Sequence, residues 1–299
     1  METAPRRFAY VTLDVFTETR FGGNPLAVFP DANGLSDAEM QALSAEMNYS
    51  ETTFVLPATD PANTARVRIF NRTAEMPFAG HPNVGTGYVL AGLRPEAGDT
   101  LHFEEVAGLV EIRIERDASG TAIGAEIDAP QPLQLLGTLP VQGIAACLNL
   151  DVADLVTASH LPTRATTGVD FVFVEVTEEA LSLAQPDIAA YRRLADAERD
   201  QAERLSIFLY AREEQRIRAR MFSPLTGTWE DAATGSANAT LGALLLSLGE
   251  AETARFQVRQ GVEMGRPSNL TVTARRTSDG IRSSVAGRCV PMFRGEVTL

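Results

Sequence analysis

Cysteine and histidine are both scarce in this chain, and their scarcity removes several chemistries at once. There are two cysteines and three histidines. Cys147 and Cys289 form no C-x-x-C, so neither a disulfide framework nor a cysteine zinc site is expected, and a reducing, cytoplasmic setting is. The scattered histidines make no metal cluster. No stretch reaches the roughly 18 uninterrupted apolar residues of a membrane span. The start, M-E-T-A-P-R-R-F, leads straight into an alternating strand pattern without an apolar signal core. Nucleotide signatures are also missing: there is no G-x-x-x-x-G-K-[ST], and no G-x-G-x-x-G follows a strand in a βαβ context. T-G-S-A-N lacks the flanking glycines of a nucleophile elbow, which leaves a serine hydrolase little support. Basic charge is in deficit, with 26 Lys plus Arg against 39 Asp plus Glu and a net charge of −13. That balance argues against nucleic acid or an anionic membrane as partner. An anionic small molecule would have to be held by local dipoles or a few placed cations.

What is present is a loop that runs into a helix, and it occurs twice. Glu230 to Leu248 reads E-D-A-A-T-G-S-A-N-A-T-L-G-A-L-L-L-S-L, with Thr234 as expected N-cap and a small, then Leu-rich, buried helix after it. Glu75 to Leu90 reads E-M-P-F-A-G-H-P-N-V-G-T-G-Y-V-L. Sliding one onto the other matches Glu75 with Glu230, Gly80 with Gly235, Asn83 with Asn238, Gly87 with Gly242 and Leu90 with Leu245. Upstream, Arg66, Arg68 and Phe70 match Arg218, Arg220 and Phe222; downstream, Leu101 and Phe103 match Phe256 and Val258. A repeat spanning strand, loop, helix and strand indicates a duplication with a period of about half the chain. At 299 residues, two domains of about 150 residues are expected in any case. Each copy offers a helix entrance whose unpaired N–H groups and partial positive charge suit a carboxylate or phosphate.

Along the chain, Phe8–Phe16 and Leu26–Phe29 read as strands joined by the F-G-G-N-P turn. Ser36 and Glu39 form a capping box for a helix to Met47, with Met40, Leu43 and Met47 on its apolar face. Glu51–Leu56 and Ala65–Phe70 are strands, and Pro82 suits the first helical position. Strands follow at 101–103, 109–114 and 123–127, with a turn at 117–120. The Pro-bearing segment 129–140 is the expected crossing between domains. Helical patterns at 141–148, 152–156 and 186–202 and strands at 171–176, 207–210, 217–222, 256–258, 270–274, 281–286 and 290–293 complete the second half.

Three polar residues stand out. Glu51 opens a buried strand next to Phe54, where burial would raise its pKa and suit it to take and return a proton; an ordinary exposed strand-end glutamate is the plain alternative. His81 sits in G-H-P at a helix entrance, where the dipole favours the neutral ring, and a structural cap is its plain alternative. Asp231 is either a site carboxylate or a loop carboxylate that bonds nearby amides. His102 and His160 lack a comparable setting. Cys147 and Cys289 lie outside both entrances, which disfavours a racemase built on two facing thiols.

F-x-G-N-P-x-A-V-F near the start, S-E-T-x-F at Ser50 to Phe54, P-F-A-G-H-P at Pro77 to Pro82, E-D-x-A-T-G-S-A at Glu230 to Ala237, and Q-G-x-x-M-G-R-P-S at Gln260 to Ser268 run in order over the whole chain. Together they resemble the PhzF-type phenazine biosynthesis proteins. The resemblance implies an α/β, diaminopimelate-epimerase-like fold of two pseudo-twofold halves, each a mixed curled sheet around a central helix, with the active site in the cleft between them. It places residues 1–128 and a return strand, 285–299, in one domain and 129–284 in the other, and it implies a homodimer with no cofactor and no metal. It further implies a proton shift like the isomerisation of trans-2,3-dihydro-3-hydroxyanthranilate. Glu51 would be the acid/base, His81 and Asp231 would orient amino or hydroxyl groups, and amides of Gly80, Gly235 and Ser236 would bind a carboxylate. Asn24 would line the site. Ala232 stands where the family motif commonly has proline, and Asn83 where threonine is frequent. The expected activity is therefore a cofactor-independent isomerase of a small carboxylated substrate. A racemase or epimerase of an amino-acid derivative is the enzymatic rival, separable by product chirality. A binding or scaffold protein retaining the fold is the other rival, and the presence of Glu51, His81 and Asp231 together counts against it.

Overall fold

The computed structural model describes residues 5–198 and 205–299. The chain divides into two compact units, Met1–Asp128 with Ala286–Leu299, and Ala129–Val285. In the first, β1 (Arg7–Val15) and β2 (Asn24–Phe29) pair antiparallel with Val15 opposite Asn24. The F-G-G-N-P turn between them depends on Gly23, whose φ is 64° and where a Cβ would stand 2.3 Å from the Val15 carbonyl oxygen. Next comes α1 (Asp37–Met47), opened by the expected capping box and closed by Asn48 in the left-handed conformation. Its Met40 and Leu43 pack on Phe29, Phe54 and Phe70. Those rings stack at 5.0 Å and meet edge-on at 5.6 Å.

β3 (Glu51–Leu56) runs parallel to β2 and antiparallel to β4 (Ala65–Asn71), which pairs with the short β5 (Glu75–Met76). After α2 (Gly80–Leu93) come β6 (Thr100–Glu105), parallel to β4, then β7 (Gly108–Arg116) and β8 (Ala122–Asp128) in antiparallel order. α2 is buried on every side from Gly80 to Ala91 except at Tyr88. A helix with no polar face belongs in a core, and α2 touches β1, β2, β3, β7 and β8.

The second unit opens with β9 (Gln134–Thr138) and α3 (Val141–Leu148), then β10 (Thr163–Thr166) and β11 (Asp170–Glu175). Two helices follow, α4 (Glu178–Leu183) and α5 (Ile188–Ala197). β12 (Ile207–Glu213), β13 (Arg216–Ser223) and β14 (Thr228–Asp231) precede α6 (Gly235–Ser247), and β15 (Thr253–Gln260) and β16 (Ser268–Thr277) follow it. The ladder runs β9, β10, β11, β12, β13, β15, β16, with β11–β12 and β13–β15 parallel and the other steps antiparallel. α6 lies against β10, β11, β15 and β16. The helices α3, α4 and α5 bury Leu148, Leu181 and Tyr191 in a second core with Leu209 and Phe222. The last strand, β17 (Gly280–Thr298), returns to the first unit, where it pairs with β1 and with β8 and closes that sheet around α2.

The duplication is visible in side-chain detail. Arg68 grips Glu75 with two bonds of 2.7 and 2.6 Å and lies 5.0 Å over the Phe70 ring. Arg220 grips Glu230 with 2.8 and 3.0 Å bonds and lies 4.8 Å over Phe222. The matched residues thus make the same clamp, a forked pair stacked on an aromatic face.

Several local expectations change. Ala79 is the N-cap of α2, which places Pro82 at its third position rather than its first. Residues 152–156 form only a 3₁₀ turn, Val152–Asp154. The crossing segment carries β9, and the two last strands are one, β17. The charged helix ends at Ala197, and the rest of 186–202 lies outside the described residues beyond 198.

Candidate active site

In the first unit, the parallel pairing of β2 and β3 brings the starts of both strands to one end of the sheet. Asn24 opens β2 and Glu51 opens β3, with Leu26 opposite Glu51. The entrance of α2 meets them there. His81 Nε2 stands 3.4 Å from Glu51 Oε2, with only 5% of the His81 side chain and 16% of the Glu51 side chain exposed. On the other side of the ring, Nδ1 is 3.5 Å from Asn24 Nδ2, and Asn24 Oδ1 accepts from the Ser50 hydroxyl at 3.1 Å. The Ser50 bond orients the Asn24 amide, and Asn24 faces the ring.

Burial pushes the His81 pKa down to about 3, outweighing the opposing effect of the Pro25 carbonyl that accepts from the ring. His81 beside Glu51 is therefore not an ion pair at neutral pH. The 3.4 Å approach falls within ion-pair distance, yet Nε2 is shut from solvent and meets no partner in hydrogen-bond geometry. What stands beside the Glu51 carboxyl is a neutral imidazole with an unspent nitrogen.

The second copy is held by a tighter network. Thr234 occupies the N-cap position of α6, but its hydroxyl donates to Asp231 Oδ2 at 2.7 Å instead of capping the helix. The Thr234 amide donates to Gln260 Oε1 at 3.1 Å, and Asn238 Nδ2 donates to the same oxygen at 2.8 Å. Gln260 Nε2 in turn donates to the Asp231 carbonyl at 2.9 Å and to Thr234 Oγ1 at 3.1 Å. Beside it, Gly261 has φ 74° and leaves room for the Ala232 carbonyl, where a Cβ would come within 2.6 Å. Ser268 Oγ donates to that carbonyl at 2.8 Å. The Q-G-x-x-M-G-R-P-S run is thus the scaffold that shapes the 231–234 loop, a role its sequence alone did not reveal.

Neither α2 nor α6 has a side-chain cap bond at its N-terminus. Gly80 and Gly235 are buried and Ser236 is partly buried at these two entrances. The structure brings Glu51, His81, Asn24 and Gly80 together in the first unit. Asp231, Gly235 and Ser236 lie together in the second.

Neither thiol is poised as a base. Cys147 lies on α3 in the helical core, and burial pushes its pKa up to about 12. Cys289, opposite Val15 on β17, is raised further by the same cause. Among the described residues no cluster of three or more His, Cys, Asp or Glu is placed to hold a metal ion, and no helix is long and apolar enough to cross a membrane.

Comparison with known proteins identifies the family. The family model described as Phenazine biosynthesis-like protein matches residues 13–295. An uncharacterized isomerase of Mesorhizobium japonicum is 36% identical over 96% of this chain and 98% of its own length. The trans-2,3-dihydro-3-hydroxyanthranilate isomerase of Pseudomonas chlororaphis is 35% identical over 97% of this chain and 99% of its own. A predicted epimerase from Pseudomonas aeruginosa has a solved structure that matches with TM-score 0.78 at 31% identity, covering 97% and 99% of the two chains. A hydroxyproline epimerase from Agrobacterium vitis shares the fold, with TM-score 0.65 at 14% identity over 98% and 93%. With the family matched over nearly its whole length and isomerases among its relatives, the chain belongs to the phenazine biosynthesis-like proteins and is an isomerase of that family.

Proposed function

We propose that this isomerase moves a proton within one small, carboxylate-bearing substrate without a cofactor, and that Glu51 carries the proton. A C–H bond of the substrate breaks as its proton passes to the Glu51 carboxylate, and the electron pair is delocalised into the substrate's own unsaturation. The protonated Glu51 carboxyl, whose proton exchanges with solvent, then delivers a proton to a different carbon on the same face. His81, neutral, orients an amino or hydroxyl group. Backbone amides of Gly80, Gly235 and Ser236 receive the carboxylate, Asp231 takes part in orientation, and Asn24 lines the pocket. A homodimer, resting on the family resemblance, and a cytoplasmic setting, resting on the unpaired cysteines, belong to the same reading.

The observation that carries it is the buried neutral imidazole 3.4 Å from Glu51 Oε2. A charged ring there would hold Glu51 as a passive ion-pair partner, whereas a neutral one leaves the carboxylate available as a base. All 26 Lys plus Arg residues are arginine, so the chain has no side-chain amine on which an aldimine cofactor could be anchored. The test is incubation with trans-2,3-dihydro-3-hydroxyanthranilate, the compound named for its relatives. Isomerised product, lost in Glu51→Gln, supports the reading. Turnover unchanged in that variant overturns it, and inversion at a single carbon would mark epimerisation instead.

A further inference from the structure

Glu105 closes β6 directly beneath the entrance of α2. Part of the residue reaches solvent, but both carboxyl oxygens are shut from it and neither has a hydrogen-bond partner. It comes close to Asn83, in the first turns of α2, whose Nδ2 donates to the Ala79 carbonyl at 3.1 Å. The next strand is tied to the same loop, with the Ala107 amide donating to the Pro77 carbonyl at 3.0 Å.

The repeat supplies the meaning of this position. The offset that matches Asn83 with Asn238 and Phe103 with Val258 also matches Glu105 with Gln260. Gln260 works in both directions: its oxygen accepts from Asn238 and from the Thr234 amide, and its nitrogen donates to the Asp231 carbonyl and the Thr234 hydroxyl. A carboxylate accepts only; a carboxylic acid both accepts and donates. We propose that Glu105 is a positioning residue for the α2 entrance, serving as a neutral carboxylic acid in the place that Gln260 fills under α6. Its proton is available to Asn83 Oδ1, which is likewise buried without a partner, and so steadies the first turns of α2, and thereby His81, in register with Glu51.

The surroundings are consistent with a neutral acid. On α2 the titratable side chains are His81, itself neutral, and Tyr88. On β7 the residues facing inward are Val110, Ile112 and Ile114, Glu111, Arg113 and Glu115 alternate with them, and Arg116, past a register shift, is paired with Asp99. On β4, Arg68 is committed to Glu75 and Asp37, and Arg66 is exposed opposite Glu104. On β6 itself, Glu104 is bound by the Thr59 and Asp60 amides and by Asn63, and His102 faces Glu111 at 3.9 Å. Among the described residues no cation is placed to hold Glu105 ionised, and burial raises its pKa to about 8. Above that value a negative charge would appear beside the first turns of α2, Asn83 Oδ1 would lose its donor, and an anionic ligand would be repelled.

Two measurements on the full-length protein need no substrate. The infrared spectrum of wild type at neutral pH should contain the carbonyl stretch of a buried protonated carboxylic acid that Glu105→Gln lacks. In denaturant titrations the two proteins should match near pH 4.5, and by pH 7 the unfolding constant of wild type should exceed that of Glu105→Gln by up to about 300-fold, at tenfold per pH unit. A third measurement rests on the proton-shift reading above. The wild-type KM for trans-2,3-dihydro-3-hydroxyanthranilate should rise about tenfold per unit above pH 8. Glu105→Gln should keep the low KM without that rise, and Glu105→Met should show a raised, pH-independent KM with the chemical step intact. Identical infrared spectra and parallel denaturation curves would overturn the neutral acid. KM values equal in all three proteins at every pH would overturn the positioning role. Absence of turnover in every protein would count against the proton-shift reading, and the two substrate-free measurements would still decide Glu105.

Discussion

Acid should destabilise the first unit through His81. Burial keeps its ring neutral in the folded state down to about pH 3, whereas in the unfolded chain the ring titrates near about 6.5. The folded pKa is the lower of the two, so between those values the unfolded chain binds the proton first. Stability present above the unfolded value is lost as pH falls toward the folded one. At about pH 4 the ring lies about 2.5 units below its unfolded value, a loss of about 3 kcal/mol at ~1.4 kcal/mol per unit. The assay is urea denaturation at a series of pH values for wild type and His81→Gln, whose amide stays neutral throughout. The stability difference between the two should shift against wild type by about 3 kcal/mol between about pH 7 and pH 4. Parallel curves, or an NMR titration of the His81 ring near 6.5, would refute the reasoning. Either result would mean that the ring is solvated or that Glu51 holds it as imidazolium, and the neutral orienting role would fall.

Other consequences can be measured alongside. Gly87→Ala and Gly242→Ala should each destabilise by about 1–3 kcal/mol in urea, because the added methyl would stand 2.6 Å from Ile112 and 2.4 Å from Val272. That exceeds the ~1 kcal/mol that alanine contributes to a helix interior, and Val272→Ala should recover most of the second loss. Glu230→Gln should cost about 1–3 kcal/mol, because Arg220, 8% exposed, loses its forked carboxylate and keeps only Glu263 at 4.0 Å and two backbone carbonyls. Thr234→Val should lower kcat/KM several-fold by releasing Asp231 Oδ2, with urea stability changed by about 1 kcal/mol.

Much of this architecture was legible in the chain. The α6 helix announced itself by its small, then Leu-rich run and α2 by its match to it in the repeat, the capping box fixed the start of α1, and the repeated Arg, Phe and Glu positions became paired clamps. What stayed hidden depended on pairing partners far away in sequence. β9 is exposed along its length and carries no burial pattern to read. Thr234 fits an N-cap by type, but the nearby Asp231 carboxylate competes for its hydroxyl. Glu51 stood out as a carboxylate opening a buried strand, and His81 as the histidine of a G-H-P helix entrance. Glu105 had no such mark, and only its place opposite Gln260 in the repeat, seen once the Gln260 bonds were known, gives it meaning.

The central claim is that one glutamate moves the proton, and solvent isotope exchange tests it most directly. Trans-2,3-dihydro-3-hydroxyanthranilate incubated with the protein in deuterium oxide should yield product carrying deuterium at the newly protonated carbon. Glu51→Gln should lower that incorporation by about 10²–10⁴-fold while ligand binding persists. Exchange at the wild-type rate in Glu51→Gln would contradict the account.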